Sequence, residues 1–233
     1  MKKIKLMTPG PSPVPPFVRQ SLAKEVIHHR TDEFRSVLGE VHSGLKGLFC
    51  TESPVLVLAS SGTGGMEAAV SNMFSRGDRV LVISGGKFGE RWAQIAARYS
   101  LGVVEMNIEW GTAPSPEEVG SILEKDHEIK GVLTTLCETS TATVYDIKSI
   151  AALARKKNIL TIVDAISGLG QDILLTDEWG VDVVVSGSQK GFMLPPGLAF
   201  VSLSERAVKG MESSDLPKFY FDLSKSLKSY EKN

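Results

Sequence analysis

Lys190 closes the stretch "VVVSGSQK", and Asp164 closes "ILTIVD" 26 residues earlier. Each puts one ionisable side chain at or just past the end of an apolar run. Such a lysine is either a surface residue at a strand end or a desolvated amine whose lowered pKa suits it to Schiff-base formation. Such a carboxylate is either a helix cap or the partner of a cation. A third stretch, "LVLASSGTGGMEAAV" at 56–70, passes from apolar residues through a small-residue turn into an Ala-rich segment. That pattern reads as strand, tight turn and helix, with N–H groups bunched at a helix start, a place that attracts an anion. The turn lacks the GxxxxGK[ST] spacing of a nucleotide-binding loop. A GxGxxG fingerprint begun at Gly62 and Gly64 would need its third glycine where Glu67 stands. Nucleotide binding is disfavoured, and a plain helix-start turn remains the alternative.

The elements that must position these residues alternate along the chain. Apolar runs fall at 55–58, 80–83, 103–106, 132–136, 160–163, 181–185 and 198–201. Helical patterns lie between most of them, at 66–74, 91–99, 116–125 and 147–157. Short apolar runs alternating with helices predict a three-layer α/β/α domain with a mostly parallel sheet covered on both faces. Ahead of it, "TPGPSPVPPF" holds five of the 11 prolines and is expected to run extended, and 19–49 is expected to be mostly helical. Ligands of open parallel sheets bind at the carboxyl ends of the strands. One rim would therefore gather the glycine turn with Ser61 and Thr63, "SGGKFGERW" with Phe88, the hydroxyl-rich "CETSTAT" with Thr139, then Asp164 and Lys190. Singly, Phe88 reads as core or as a cofactor stack, and Thr139 says little.

One ligand would use the whole set. Pyridoxal 5'-phosphate carries a phosphate for the helix start and an aldehyde for a lysine. Its ring nitrogen acts as an electron sink when a carboxylate keeps it protonated, and its flat ring can stack on an aromatic side chain.

Composition bounds the rest. The 233 residues are 42% hydrophobic and 23% charged with net charge -1, an ordinary globular balance that suggests neither nucleic acid nor an anionic membrane as partner. No apolar run reaches the roughly 18–20 residues needed to span a bilayer. The basic start "MKKIKLMTPG" lacks the apolar core of a signal peptide. Two cysteines, Cys50 and Cys137, form no CxxC pair and read as reduced thiols of a cytoplasmic protein. Four histidines without ligand spacing make a metal site improbable.

Taken in order, "TPGP", "SSGTGGMEAA", "GGKFGERW", "ETSTAT", "VDAISGLG" and "SGSQKGFMLPPG" resemble the class V aminotransferases of the fold-type I pyridoxal-phosphate enzymes. The resemblance is closest to the alanine/serine–glyoxylate aminotransferases. It implies that Lys190 is the Schiff-base lysine and proton carrier and that Asp164 pairs with the ring nitrogen. It implies Phe88 as the ring stack, where relatives often have Trp, and Ile166 on the opposite ring face. Ser61, Gly62, Thr63 and Gln189 match the phosphate site, and Thr139 the hydroxyl near the phenolic oxygen. Gly10 in the "TPGP" arm would border the substrate carboxylate. His29 and Arg30 lie either near the substrate or at a plain helix end.

The resemblance also implies an organisation: an arm at 1–20, a cofactor-binding large domain at 21–215, and a connector at 216–233 to a small C-terminal domain absent from this chain. That absent domain would supply the arginine for the substrate carboxylate. A homodimer with active sites at the interface is implied, working on small amino acids and 2-oxo acids. Two rivals stand beside the transaminase. Desulfurase- or lyase-like chemistry on the same cofactor is one, although desulfurases stack a histidine where this chain has Phe88. The other is a non-catalytic partner, of the kind once named soluble hydrogenase small subunit.

Overall fold

The computed structural model describes residues 5–232; the first four residues of the arm and Asn233 lie outside them. In chain order the elements are α1 (Pro16–Leu22), α2 (Asp32–Phe49), β1 (Val55–Ala59), α3 (Gly62–Met73), β2 (Arg79–Ser84), α4 (Lys87–Arg98), β3 (Gly102–Asn107), α5 (Pro116–Lys125) and β4 (Ile129–Thr135). There follow β5 (Cys137–Glu138), β6 (Thr143–Val144), α6 (Ile147–Lys156), β7 (Leu160–Asp164), α7 (Thr176–Trp179), β8 (Val183–Gly187), β9 (Leu198–Leu203), α8 (Glu205–Met211) and α9 (Leu223–Tyr230).

Seven strands form the main sheet in the order β1-β9-β8-β7-β4-β2-β3. All pairings are parallel except those of β9, which runs antiparallel between β1 and β8. The exception has a local cause. The connection from β8 to β9 passes through Pro195 and Pro196, which deny it a crossover helix, so the chain turns straight back. Ser188 closes the turn: its N–H donates to the Leu198 carbonyl (3.0 Å) and its hydroxyl to the Pro195 carbonyl (2.7 Å).

The strands are buried on both faces, and their alternation sorts side chains between two cores. Val80 and Val82 of β2 face one core, with α3, α4, α8 and α9; Leu81 and Ile83 face the other, with α2, α5 and α6. Val183 and Val185 of β8 likewise lie opposite Val184. The three layers read from the sequence are therefore present.

The structure departs from the expected boundaries in three places. The proline arm turns helical at Pro16, because proline at a helix start has no N–H to lose and a suitable φ. The stretch 19–49 is mostly helical, as read, but it is split: residues 23–31 are irregular between α1 and α2, and Thr31 caps α2 by accepting the Phe34 N–H (3.3 Å). Helices α3 and α4 begin four residues earlier than the sequence pattern predicts. At α3 the glycines counted as turn lie inside the helix, pressed on the sheet. A Cβ on Gly62 would come within 2.4 Å of Ile166 Cδ1, and one on Gly65 within 2.7 Å of Val185. No helix among the described residues is long and apolar enough to cross a membrane.

Candidate active site

The carboxyl ends of β1, β2, β4, β7 and β8 lie on one rim, since these strands run parallel. β1 leads into α3. Ser61 occupies the N-cap position of α3 without a side-chain cap bond, and the Gly62 and Thr63 N–H groups have no acceptor among the described residues. This helix start is open to an anion. Gly187, at the end of β8, brings the Gln189 carboxamide alongside: a Cβ on Gly187 would lie 3.5 Å from Gln189 Oε1 and 3.8 Å from the Gly62 nitrogen. That buried Oε1 has no hydrogen-bond partner among the described residues.

Asp164 ends β7 in the middle of the sheet, in register with Thr135 of β4 and Val185 of β8. Its side chain is buried, and Oδ1 accepts the Ile166 N–H at 2.8 Å. Burial pushes its pKa up to about 7, and the negative Glu138 adds to the rise. The Ile166 N–H, Arg91 and Lys190 act the other way. Lys190 lies in the β8–β9 turn, half-buried. Burial lowers its pKa, Arg91 lowers it further, and Asp164 opposes both. The two groups thus sense each other across the rim, a carboxyl shifted upward and an amine shifted downward.

The arm is stitched to the lysine. Ser12 donates through its backbone N–H to the Gln189 carbonyl (2.9 Å) and through its hydroxyl to the Lys190 carbonyl (2.8 Å). Gly10 lies on the lysine stem: a Cβ there would fall 2.4 Å from Lys190 Cδ. Ile166 packs over Gly62, joining the end of β7 to the start of α3. Thr139 and Ser167 share a hydrogen bond of 2.6 Å, and Ser167 also donates to the Cys137 carbonyl (3.2 Å). Phe88, in the first turn of α4, carries the Arg91 guanidinium 4.8 Å from its ring centroid, and Arg91 Nη1 donates to Thr63 Oγ1 at 3.2 Å.

The residues singled out by the sequence are therefore linked through contacts and short bridges. His29 and Arg30 are not joined to them: both are exposed, in the irregular stretch before α2. Three residues were missed. Arg91 had a visible signal, its i+3 spacing from Phe88 on one helix. Glu138 and Ser12 had none, because their partners are distant in sequence.

A sequence model of the class V aminotransferases matches residues 10–222, more than half of the chain. The chain belongs to the class V aminotransferase family. The "Soluble hydrogenase 42 kDa subunit" of Anabaena cylindrica is 46% identical over 99% of this chain and 61% of its own length. The "L-aspartate--glyoxylate aminotransferase" of Paracoccus denitrificans is 38% identical over 98% of this chain and 59% of its own. A crystal structure titled as an aspartate aminotransferase of subgroup IV from Thermus thermophilus superimposes with a TM-score of 0.90 at 37% identity, over 98% of this chain and 64% of that one. The chain thus spans about three fifths of the curated relatives it matches.

Class V aminotransferases are pyridoxal-phosphate enzymes of fold type I, and this class V chain carries residues that fit the cofactor. An uncapped helix start suits its single phosphate, a half-buried lysine its aldehyde, and a buried carboxyl its ring nitrogen. Among the described residues no group of three or more His, Cys, Asp or Glu side chains is gathered to hold a metal ion.

Proposed function

We propose that the protein is a pyridoxal 5'-phosphate-dependent aminotransferase that moves an amino group from alanine or serine to glyoxylate or pyruvate. One observation carries the reading: a lysine of lowered pKa and a fully buried carboxyl of raised pKa meet on one rim beside an uncapped helix start. The name of the Paracoccus relative supports glyoxylate as acceptor and adds aspartate to the donors worth comparing.

When bound, the cofactor supplies a carbon that holds the amino group and a ring that spreads the charge developing at the substrate Cα. The chain's residues do the rest. Ser61, Gly62, Thr63 and Gln189 would hold the phosphate. Asp164 would keep a proton on the ring nitrogen, and the Thr139 hydroxyl would lie near the phenolic oxygen. Phe88 and Ile166 would pack on opposite faces of the ring. Lys190 Nζ would hold and move the substrate Cα proton, and burial, which lowers its pKa, favours the neutral amine that this task needs. Gly10 leaves room for the arm to lie against the lysine stem and border the substrate carboxylate.

In this reading 21–215 is the large domain and 216–233 leads to a small C-terminal domain. The protein works in the cytoplasm as a homodimer, whose second copy covers the exposed apolar residues of the arm, α1 and α2: Met7, Phe17, Leu22, Val37, Val41 and Leu48. Desulfurase-like chemistry would call for a histidine at position 88. A non-catalytic subunit would have no use for an amine and a buried carboxyl set against each other.

The test is the visible absorption of the full-length protein with cofactor supplied, with and without L-alanine, beside Lys190→Ala. The expected result is a coloured protein that alanine bleaches, and a variant whose turnover falls by roughly 10²–10⁴-fold. A wild-type protein that stays colourless overturns the reading.

A further inference from the structure

Two helices start at the rim without help from their own N-cap side chain. At α3 Ser61 makes no cap bond, and at α4 the N-cap is Gly86. Elsewhere Thr31, Ser115, Asp146, Ser204 and Asp222 cap their own helices, whereas the short α1 and α7 begin behind Pro15 and Leu175 without a side-chain cap. The two bare starts have opposite fates. That of α3 is left open. That of α4 is filled by a carboxylate from another element, Glu138 of β5. Glu138 Oε2 accepts the N–H of Phe88 (3.1 Å) and of Gly89 (3.0 Å). Oε1 accepts the Ser140 hydroxyl (2.6 Å) and the Ser140 N–H (3.2 Å). Ser140 Oγ in turn accepts the Lys87 N–H (3.1 Å), so the first three N–H groups of α4 are all taken.

Glu138 has no solvent exposure, and burying a carboxylate is costly unless donors surround it. Three N–H groups, one hydroxyl and the positive end of a helix dipole meet that need. Gly86 makes the approach possible, since a Cβ there would lie 2.4 Å from Ser140 Oγ and 2.6 Å from Glu138 Cδ. The residue held at the centre of this clamp is Phe88.

We propose that Glu138, with Ser140, is a positioning residue that fixes the backbone of Phe88 and thereby seats its ring as the platform for the cofactor. The inference rests on the pyridoxal-phosphate reading. Because the clamp fixes the Phe88 and Gly89 nitrogens, the first turn of α4 cannot roll, and the ring is presented at a set height above the rim. The same carboxylate occupies the start of α4, which leaves the start of α3 as the rim's open anion site.

The test is a thermodynamic cycle on cofactor affinity in the full-length protein, followed by the induced visible circular dichroism of bound pyridoxal 5'-phosphate. The variants are Glu138→Gln, Phe88→Ala and the double substitution. Ser140→Ala replaces Glu138→Gln in the cycle if that variant does not fold. An aromatic stack is worth up to about tenfold in affinity. Glu138→Gln is therefore expected to weaken binding roughly tenfold and to change the dichroic band, and Phe88→Ala to weaken it similarly. On the Phe88→Ala background, Glu138→Gln should cost less than about twofold more, since coupled residues are not additive. A purely structural role predicts a lower melting temperature with the same affinity cost on both backgrounds, and that result overturns the proposal. A wild-type protein that binds no cofactor overturns the functional reading, and this inference with it.

Discussion

At Asp164 burial and neighbouring charge are in competition, and burial wins. Its pKa stands at about 7 against 3.8 for an exposed aspartate, so between about pH 4 and pH 7 the folded, cofactor-free protein holds a proton that the unfolded chain has released. The stabilising contribution of this group is therefore complete below about pH 4 and is lost as pH rises to about 7. A tenfold difference in proton affinity between the folded and unfolded chain is worth about 1.4 kcal/mol. Thermal unfolding of the cofactor-free protein between pH 4.5 and 8 should show wild type losing stability with rising pH relative to Asp164→Asn. Parallel curves would mean that Asp164 titrates like an exposed carboxyl. Glu138, Arg91 and Lys190 are the charges felt at this group, and a protonated ring nitrogen would be a strong addition to the attractive side.

The glycine-rich start of α3 is decided at the level of elements. Four residues, Gly62, Thr63, Gly64 and Gly65, open a helix although glycine disfavours one by about 1 kcal/mol relative to alanine. The compensation is close approach. Gly62 meets Ile166 from the end of β7, Gly64 meets Ser60 and Phe221, and Gly65 meets Val185 of β8. Gly62→Ala should keep the fold, because the first obstacle is the far methyl of a flexible side chain, yet push Ile166 out of place. Equilibrium titration is expected to give several-fold weaker cofactor binding, recovered in part by adding Ile166→Val, which removes that methyl. If Ile166→Val brings no recovery, the contact with Ile166 is not what limits Gly62. The β8–β9 turn shows the same economy. Two prolines and the Ser188 bonds shape the loop that carries Lys190, and Ser12 fastens the arm to its backbone.

For the molecule as a whole, the distribution of apolar surface is uneven. The body has a core on each sheet face, whereas α1 buries none of its residues and α2 buries only Leu45 and Phe49. Phe17 is 69% exposed and Met7 90% exposed, on a segment bonded to the backbone at Lys190. A second copy seated on this surface would shield it and bring another chain close to the rim. Sedimentation of the full-length protein should give twice the chain mass. Phe17→Glu together with Val41→Glu should shift it toward the monomer and lower activity at low protein concentration. A monomeric wild type would refute the dimer.

The sequence by itself determined the periodicity, and with it the alternation of strands and helices, because side chains alternate by two along a strand and by 3.6 along a helix whatever surrounds them. It also placed Lys190, Asp164 and the glycine turn at strand ends, which one sheet direction suffices to bring to one rim. What only the tertiary structure decided are the relations between distant segments. The antiparallel insertion of β9 between β1 and β8 is one. The clamp of Glu138 on the first turn of α4, 50 residues away in sequence, is another. The early starts of α3 and α4 belong here too, since a glycine reads as a turn until the sheet it must approach is known. Local patterns carry no information about which surfaces meet, and those meetings set the hydrogen bonds, the burial and the shifted pKa values at the rim.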